Sequence, residues 1–340
     1  VMDKNTASTR KVALEALNAK IQGKLEAITA EPEQKGLTLG KLKELYLAYQ
    51  KKTFKLSTYR RNYYSLKTTI NCLGADILVS SLSAGYIKQK MDTLGLENGS
   101  YNEYITRFKA MLRWGYENDL VADIRYLDKL KKLQSDTRRE KLVNKYLERE
   151  ELSALLKAME LERWKLLTEF MVLSGLRYGE VCGLDKSDVS QTEQMIHVSK
   201  NYDYNNGVLT STKTFTSTRG VFIQPELADV CKRIDAFFDT AGLRKSSTLF
   251  FPDFDGGYMH YYDYAKYLRE VSKRVIGREI TPHILRHTHV SLLAEAGVPL
   301  ETISRRLGHS GSKVTKEVYL HVTKRLEERD RERISNTSLL

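Results

Sequence analysis

Between residues 37 and 130, apolar side chains recur at steps of three and four residues, the spacing that places them on one face of an α-helix. The segment from residue 58 to residue 73 is the clearest, because basic side chains fill the side opposite its apolar stripe. Ser100 and Glu103 have the spacing of a capping box, which predicts that a fourth helix starts there. The pattern therefore predicts a small four-helix bundle with basic outer faces.

From residue 147 onward, helical patterns are interrupted by short alternating segments. A helix is expected from Leu147, because acidic residues fill its first turn, and another from Trp164 to Leu173, ended by Gly175. Strands joined by the turn Asn205-Asn206-Gly207 are expected to form a small antiparallel sheet. The predicted strands are 195–199, 207–213 and 220–223, and the predicted later helices are 225–240, 261–275, 283–296, 300–306 and one from 312 onward.

These patterns predict a mainly α-helical protein with a small antiparallel β-sheet, in which a helical bundle is followed by a mixed α+β domain. A length of 340 residues with 41% apolar composition is enough for two domain cores. A polar helix from Thr9 to Ile28 precedes the bundle, and the last nineteen residues have too few apolar members to form a core element of their own. The predicted segments are a connecting helix in 1–36, the bundle in 37–130, a basic linker in 131–146, the mixed domain in 147–321 and a tail helix in 322–340.

Positive charge is concentrated in one part of the chain. There are 55 basic and 43 acidic residues, which gives a net charge of +12. Residues 37–146 carry 21 basic and 11 acidic residues, so this segment holds ten of the twelve surplus charges. Such a segment indicates a polyanionic partner, although a solvated tether would explain the basic linker equally well.

The composition argues against a membrane-bound or secreted protein. No run of about eighteen uncharged apolar residues occurs, and the first thirty residues lack the apolar stretch of a secretory signal. Cys72, Cys182 and Cys231 are widely separated and odd in number, which fits reduced thiols better than disulfides or a zinc cluster. We therefore expect a soluble cytoplasmic protein with no membrane partner.

Candidate chemistry lies in the mixed domain. Arg177, in SGLRYGEV, follows a helix-breaking glycine, at a junction from which its side chain can project into a cleft. Taken alone, it would be interpreted by default as a surface arginine on an exposed turn. In TPHILRH, Thr281 as N-cap and Pro282 as the first helical residue would place His283 and Arg286 one turn apart at a helix start. A helix N-terminus is where an anionic phosphate is best received.

A further motif, LGHSGSKVTKEVYLHV, contributes His309 after a helix-ending glycine and Tyr319 in the following helix. A single tyrosine in such a stretch is usually a packing residue, so only the combination of motifs singles out Tyr319. His283 and His287 could instead bind zinc, but the glutamate of an HExxH motif and a third ligand are missing.

The motifs RxxE at Arg177 and Glu180, HxLRH at 283–287, LGH at 307–309 and the tyrosine ten residues after that histidine resemble the signature of the tyrosine recombinase, or phage integrase, family. The resemblance covers residues 147–325 by motif, and residues 37–135 by architecture only. It implies a helical core DNA-binding domain followed by a mixed α+β catalytic domain. Segment 1–36 would then be the connecting helix of an arm-binding domain that precedes it.

The resemblance implies a reaction without metal or cofactor, which leaves a 3′-phosphotyrosyl bond and a free 5′-hydroxyl. A tyrosine would attack the phosphorus, two arginines would hold the non-bridging oxygens, and a lysine on the hairpin in TKTFTSTRGV would protonate the leaving oxygen. Two histidines would act as base and hydrogen-bond donor. The residues implied for these roles are Tyr319, Arg177, Arg286, Lys213, His283 and His309, with Glu180 and His287 as supports.

The partners implied by the resemblance are double-stranded DNA at specific recombination sites, a homotetramer on two duplexes, and accessory DNA-bending or excision factors in the bacterial nucleoid. Strand exchange through a Holliday junction would integrate and excise a mobile element such as a phage or conjugative transposon. The tail helix would dock on a neighbouring subunit or form a solvated end. The residues expected to contact DNA are Arg60, Arg61, Lys67, Arg107, Lys109, Arg113, Lys131, Lys132, Arg138 and Arg139.

Other functions stay open at this point. A chromosome-dimer resolvase or an invertase of the same family would carry the same motifs, and a type IB topoisomerase shares the catalytic set but relaxes DNA without exchanging partners. A non-catalytic DNA-binding regulator would use Leu285 to Gly308 as a helix-turn-helix with Arg305 and Arg306 as basic residues. That alternative leaves the predicted nucleophile and its cations unexplained.

Overall fold

The chain divides into two compact units, residues 1–134 and residues 135–340. Residues 17–21 are helical, and most of the predicted helix from Thr9 to Ile28 lies outside the described residues. The functional roles predicted for the segments stay predictions. The computed structural model describes residue 15 and residues 17–21, 36–134, 145–211, 218–308 and 313–336.

The first unit is a bundle of amphipathic helices. Thr38 caps the first of them by accepting a hydrogen bond from the backbone N–H of Lys41 (3.3 Å). The apolar stripes meet in one core, in which Leu66, Phe108 and Leu112 are fully buried. The predicted four-helix bundle is confirmed within residues 36–134. Its helices are α1 (Leu39–Thr53), α2 (Leu56–Leu73), α3 (Ala84–Asp92) and α4 (Asn98–Glu117).

Helix α4 starts before the predicted capping box, so that part of the prediction is wrong. Glu97 is the N-cap residue, without a side-chain hydrogen bond, and Ser100 lies inside the first turn. The carboxylate of Glu103 pairs with Arg107 one turn later (2.7 Å). An oppositely charged partner at the i+4 position draws this carboxylate away from the helix start.

The second unit begins with three consecutive helices, of which the second and the third are joined by a short junction. Glu148 caps the first of them, and its backbone N–H donates to the carboxylate of Glu151 (2.9 Å). The second helix ends, as predicted, at Gly175, whose φ of 70° lies in the left-handed region. A Cβ atom at Gly175 would lie 2.5 Å from His289 Cδ2, so both conformation and space require glycine. The helices are α5 (Arg149–Ala158), α6 (Glu162–Ser174) and α7 (Tyr178–Cys182).

The strands form two antiparallel sheets, whereas one was predicted. The first sheet contains β1 (Val189–Ser190), β2 (Met195–Val198) and β5 (Arg219–Phe222), in the order β1-β2-β5. The second is a hairpin of β3 (Lys200–Asp203) and β4 (Val208–Ser211) around the predicted turn. Strand β3 was missed because its sequence, KNYD, has no apolar alternation. It pairs through its backbone with β4, and its Tyr202 ring stacks on Tyr258.

The remaining helices complete the second unit. Helix α11 packs against both α6 and α13. The three cysteines of the chain are free thiols, as expected. No described helix is both long and apolar enough to cross a lipid bilayer. The helices are α8 (Pro225–Thr240), α9 (Leu243–Ser246), α10 (Tyr261–Ile276), α11 (Pro282–Glu295), α12 (Leu300–Leu307) and α13 (Lys313–Ser335).

Helix α13 runs without a break through the predicted start of the tail at residue 322. Val322 is fully buried together with Val318, because the two residues lie one turn apart on the side that faces α11. Arg325 pairs with Glu148 and also with Glu295 (3.1 Å). The first turn of the predicted tail therefore contributes Val322 to the core as part of a longer helix.

Candidate active site

The junction between α6 and α7 presents Arg177 beside Glu180. Because α6 ends at Gly175, Arg177 can be the N-cap residue of α7, and Glu180 falls in the first turn of that helix. The carboxylate of Glu180 accepts a hydrogen bond from the backbone N–H of Arg177 (2.9 Å) and another from its Nη1 (2.7 Å). The Arg177 side chain keeps 32% of its surface exposed, whereas that of Glu180 keeps 3%. Arg177 is thus an anchored cation that solvent can reach.

Glu180 binds three guanidinium groups. Besides Arg177, it accepts hydrogen bonds from Arg219 Nη2 (2.9 Å) and Nη1 (3.2 Å), and its Oε2 lies 3.7 Å from Arg286 Nη1. Burial would raise the pKa of Glu180, but the hydrogen bonds from Arg219 and the charges of all three arginines hold this pKa at about 2. One carboxylate and three cations leave this buried cluster with an excess of positive charge, which suits an anionic ligand.

Arg286 connects the three segments that carry the sequence motifs. Its Nη1 donates to the carbonyl oxygen of Gly175 (2.6 Å), and its Nη2 donates to that of Leu307 (2.6 Å). Burial and the nearby charge of Arg177 lower the pKa of Arg286 to about 9. The structure therefore brings Arg177, Glu180 and Arg286 together. Through Arg286, this group also contacts Leu307, the first residue of the LGH motif.

The histidines of the HxLRH motif lie at the start of α11, with Thr281 as N-cap and Pro282 in the first turn, as predicted. Desolvation, and then the charges of Arg286 and Arg177, lower the pKa of His283. Burial, and then the charges of His283, Arg286 and Lys145, lower the pKa of His287 to about 4. Both rings are therefore neutral near pH 7. Among the described residues, no three His, Cys, Asp or Glu side chains are grouped to hold a metal ion.

Tyr319 lies on α13, the helix that packs against α11. Its ring is half-buried against the apolar cluster around Val318 and Leu307, and no other described residue forms a hydrogen bond with its hydroxyl group. The same part of α13 is contacted by two residues at the beginning of the second unit, Lys145 and Tyr146. Lys145 Nζ lies 3.2 Å from the carboxylate of Glu317, and the buried Tyr146 hydroxyl hydrogen-bonds His321 Nδ1 (3.1 Å). These two contacts flank Tyr319 on either side in sequence.

Several predicted residues lie outside the described part of the chain. They include the predicted general acid, Lys213, and the predicted phosphate donor, His309. Arg138 and Arg139 of the linker are outside it as well. The roles of these four residues stay predictions.

Three further residues of the site, Arg219, Arg306 and His289, were not predicted to take part in it. Arg219 binds Glu180, and its Nε donates to the carbonyl oxygen of Arg306 (2.7 Å). Arg306 in turn donates through Nη1 to the carbonyl oxygen of Phe222 (2.8 Å) and through Nε to His289 Nε2 (3.1 Å). Burial lowers the pKa of Arg306 to about 10. With its guanidinium directed inward, Arg306 is poorly placed to read DNA bases as the helix-turn-helix alternative requires.

Residues 145–325, slightly more than half of the chain, match the model of the phage integrase family. The chain belongs to the phage integrase family. The family predicted from the sequence motifs is thereby confirmed, and the chain is a tyrosine recombinase. The fold class predicted from the apolar pattern is confirmed by the helices and small antiparallel sheets of the structure.

Individual relatives of this tyrosine recombinase agree with the assignment. It is 28% identical over 353 residues to the prophage ps2 probable integrase of Lactococcus lactis subsp. lactis (strain IL1403), across 96% of this chain and 89% of that protein. Its fold resembles the Tn1549 transposon integrase in complex with transposon right end DNA, with a TM-score of 0.70 and 19% identity over 86% of this chain and 99% of that one. It also resembles a lambda integrase tetramer bound to a Holliday junction, with a TM-score of 0.64 and 15% identity over 93% of this chain and 87% of that one.

The basic residues predicted to bind DNA differ in how exposed their side chains are. Arg60, Arg61, Lys67 and Arg113 are exposed on the bundle, as are Lys131 and Lys132 after it. Lys109 is half-buried and donates to the carbonyl oxygen of Leu130 (3.1 Å). Arg107 hydrogen-bonds Asn62 and Glu103. DNA contacts by any of these side chains stay a prediction.

Arg107→Ala is expected to lower the stability of the first unit of this tyrosine recombinase by about 1–3 kcal/mol. Arg107 donates to the Asn62 side-chain oxygen, and Asn62 donates to the buried Gln50 (2.7 Å), so the substitution leaves a buried acceptor without its donor. Urea unfolding measures the loss. As a control, Arg113→Ala on the exposed face of the same helix should change stability by less than about 0.5 kcal/mol. Equal stability of the two variants would contradict the prediction.

Acid is expected to destabilise the second unit through His289. The ring is buried, its Nδ1–H donates to the carbonyl oxygen of Val172 (2.7 Å), and its Nε2 accepts from Arg306. Burial and the charge of Arg306 lower the pKa of His289 to about 3. Because the folded pKa lies below the unfolded value of 6.5, the unfolded state binds more protons below pH 6.5. The contribution of the neutral His289 ring to the free energy of unfolding is therefore complete above pH 6.5, and it is lost as the pH falls below that value.

Between pH 7 and pH 5 this effect amounts to about 2 kcal/mol of unfolding free energy. Glutamine in place of His289 keeps a hydrogen-bond donor and an acceptor but does not titrate. Between pH 7 and pH 5, the free energy of unfolding of His289→Gln should therefore fall by about 2 kcal/mol less than that of wild type. Urea unfolding at both pH values checks the expectation. His260→Gln, at an exposed histidine of the same unit, should leave the wild-type pH dependence unchanged. An unchanged slope in His289→Gln would refute the assignment.

Proposed function

We propose that this tyrosine recombinase cuts and rejoins double-stranded DNA through a covalent bond to Tyr319, and that it integrates and excises a mobile element. The observation that carries the proposal is the arrangement around α11. Arg177 and Arg286 share Glu180 near the start of this helix, and the helix that bears Tyr319 packs against it. Two cations for a phosphate and a nucleophile thus lie on adjoining elements of one unit.

In the proposed reaction the phenol oxygen of Tyr319 attacks the scissile phosphorus, and the bond from phosphorus to the 5′ oxygen breaks. Arg177 and Arg286 bind the non-bridging oxygens, on which negative charge increases in the transition state. A planar guanidinium can bridge two oxygens and stays charged, which suits this role. Lys213 gives a proton to the leaving 5′ oxygen, so that a 3′-phosphotyrosyl bond and a 5′-hydroxyl result.

The histidines take the remaining proton and hydrogen-bond roles. His283 is neutral near pH 7 because its pKa is lowered, so its ring can accept the phenol proton of Tyr319 or hydrogen-bond the phosphate. His309 donates a further hydrogen bond, and Glu180 and His287 support the groups beside them. Attack by the 5′-hydroxyl of another strand reverses the first step. The covalent bond retains the energy of the broken ester, so strand joining requires no other energy source.

Exchange between two duplexes adds an assembly to this chemistry. We propose that four copies hold two DNA sites and exchange strands in two steps through a Holliday junction. The fold shared with the lambda integrase tetramer on such a junction supports this proposal. The likeness to the prophage ps2 probable integrase favours integration and excision over resolution or inversion within the family. Accessory DNA-bending or excision factors belong to the same proposal.

The test first identifies the DNA sites. The chain is expressed in cells that hold two compatible plasmids with fragments of the genome that encodes it, and newly formed junctions between the plasmids are sequenced. We expect junctions at one defined pair of sites. A duplex with the identified site and a nick beside the scissile phosphate is then incubated with purified protein. Cleavage releases the short DNA fragment between the scissile phosphate and the nick. Because this fragment, which carries the 5′-hydroxyl, diffuses away, the strand cannot be rejoined, and we expect a protein–DNA adduct that survives detergent.

The other functions give different results in the same test. A topoisomerase would form the adduct and relax supercoiled plasmid without joining two plasmids. A DNA-binding regulator would shift the duplex in a gel without forming any adduct. Either result would overturn the proposal, and the position of the junctions would distinguish integration from inversion.

A further inference from the structure

Arg219 reaches two of the segments that the proposed reaction uses. From strand β5 it donates two hydrogen bonds to Glu180, at 2.9 and 3.2 Å, and one from Nε to the carbonyl oxygen of Arg306 at 2.7 Å. We propose that Arg219 is a positioning residue for strand cleavage, which fixes the Glu180 carboxylate so that Glu180 aims Arg177 at the scissile phosphate. The inference rests on the proposed function and adds a residue to it.

Burial separates the role of Arg219 from that of Arg177. Its side chain is 6% exposed, against 32% for that of Arg177. Arg219 lies on a strand outside the sequence motifs, and it directs its hydrogen bonds to the Glu180 carboxylate and a carbonyl oxygen, so we assign it a supporting role and not a phosphate-binding one. Arg219 therefore acts through Glu180.

The Glu180 carboxylate needs a second support to hold one orientation. Each oxygen accepts one hydrogen bond from Arg177 and one from Arg219: Oε1 binds Nη1 of both, and Oε2 binds the Arg177 backbone N–H and Arg219 Nη2. The terminal torsion of a glutamate is broad, so a carboxylate held from one side can rotate. The fork of Arg219 prevents that rotation and so sets the direction of the Arg177 guanidinium.

The contact with Arg306 extends this support to the second phosphate-binding cation. Arg219 binds the carbonyl oxygen of Arg306, and Arg286 binds that of the next residue, Leu307. Both guanidinium groups are thus held by consecutive carbonyl groups at the C-terminal end of α12. A shift of Arg219 would be transmitted to Arg177 through Glu180 and to Arg286 through the end of this helix.

The test compares two DNA duplexes that carry the identified recombination site. One has the natural phosphodiester at the scissile position, and the other has a methylphosphonate, in which an uncharged methyl group replaces one non-bridging oxygen. A misdirected cation slows cleavage of the charged phosphate most, because the methylphosphonate has no negative charge to hold. A merely destabilised protein would lose activity on both duplexes equally. Single-turnover rates are measured at saturating DNA for wild type, Arg219→Gln and Arg219→Lys.

We expect Arg219→Gln to cleave the phosphodiester about 100-fold more slowly than wild type, the cost typical of a misplaced reacting group, with unchanged DNA affinity. On the methylphosphonate, the difference from wild type should be roughly tenfold smaller. Arg219→Lys keeps the charge without the fork, so it should recover part of the rate. It also carries the comparison if Arg219→Gln does not fold.

Arg244→Gln is the matched control, because Arg244 is also buried in the second unit, 10% exposed, and binds Asp235 (2.7 Å) and the carbonyl oxygen of Phe250 (3.0 Å). Arg244→Gln should lower the melting temperature, but the ratio of its cleavage rate to the wild-type rate should be the same on the phosphodiester as on the methylphosphonate. Wild-type rates in the Arg219 variants, or equal losses on both duplexes, would overturn the inference. Failure of the wild type to cleave the phosphodiester would overturn the proposed function, and this inference with it.

Discussion

Tyr319→Phe is expected to abolish the covalent adduct with DNA, with a fall in cleavage rate on the order of 10⁵-fold or more, as for removal of other enzymatic nucleophiles. The substitution removes one oxygen and leaves the ring packed against the cluster around Val318. No other described residue is hydrogen-bonded to that hydroxyl, so folding should not suffer. DNA affinity should stay within about twofold of wild type. Adduct formation on the nicked duplex and gel-shift titration measure the two quantities.

Tyr262→Phe is the matched control for Tyr319→Phe. Tyr262 is 67% exposed in the same unit, and its hydroxyl donates to Asn205 (3.0 Å), so the substitution removes the same atom from a tyrosine to which we assign no catalytic role. This variant should form the adduct at the wild-type rate. An adduct in Tyr319→Phe, or its loss in both variants, would show that another residue is the nucleophile or that the assay reports folding.

The longer helices with a clear apolar stripe were predictable because that stripe must be buried, whereas the short helices α7 and α9 were missed. Residues 58–73 and 225–240 coincide closely with α2 and α8 for this reason. Helix ends and short strands were harder to predict. Ser100 was expected to cap α4, but the competing pair of Glu103 and Arg107 forms inside the helix. Such errors arise where several weak local preferences compete and contacts distant in sequence decide among them.

The sequence motifs led to Arg177, Glu180 and Arg286, which the structure brings together, but they did not lead to Arg219, which supports Glu180. The guanidinium of Arg219 contacts a carboxylate 39 residues earlier and a carbonyl group 87 residues later in the chain. A signal was nevertheless present in the sequence. Arg219 alternates with Val221 and Ile223, both buried, so an arginine occupies the inward-facing register of a strand. A charged residue in that register requires a buried partner, and Glu180 of the RxxE motif is the partner found.

Glu180 carries the electrostatic balance of the whole cluster. Arg177, Arg219 and Arg286 are held around a single carboxylate, and two of the three guanidinium groups are almost fully buried. Without an anion, like charges at this separation would repel one another in a medium that screens poorly. The carboxylate makes the folded state possible before DNA arrives, and the remaining excess of positive charge is what a phosphate would neutralise.

Glu180→Gln is therefore expected to destabilise the second unit by about 3–5 kcal/mol, the typical result of removing one partner from a buried ionic cluster. Glutamine has the same shape, but it presents an N–H donor to guanidinium donors and leaves their charges uncompensated. Urea unfolding followed by fluorescence of Trp164, in a Trp114→Phe background, reports on this unit alone, because the chain has two tryptophans. Strand cleavage should fall as well, because Arg177 loses its anchor.

The pH dependence separates the lost charge from a simple packing defect. Since the pKa of Glu180 in the folded protein, about 2, lies below its ordinary value of 4.5, its contribution is complete above pH 4.5 and is lost as the pH falls towards 2. The stability difference between wild type and Glu180→Gln should shrink over that range. Glu169→Gln is the control, because Glu169 is 13% exposed and, among the residues that the structure describes, pairs with the more exposed Arg233 alone, so the substitution should cost no more than about 1 kcal/mol. A Glu180→Gln variant no less stable than Glu169→Gln would mean that the three arginines do not depend on this carboxylate.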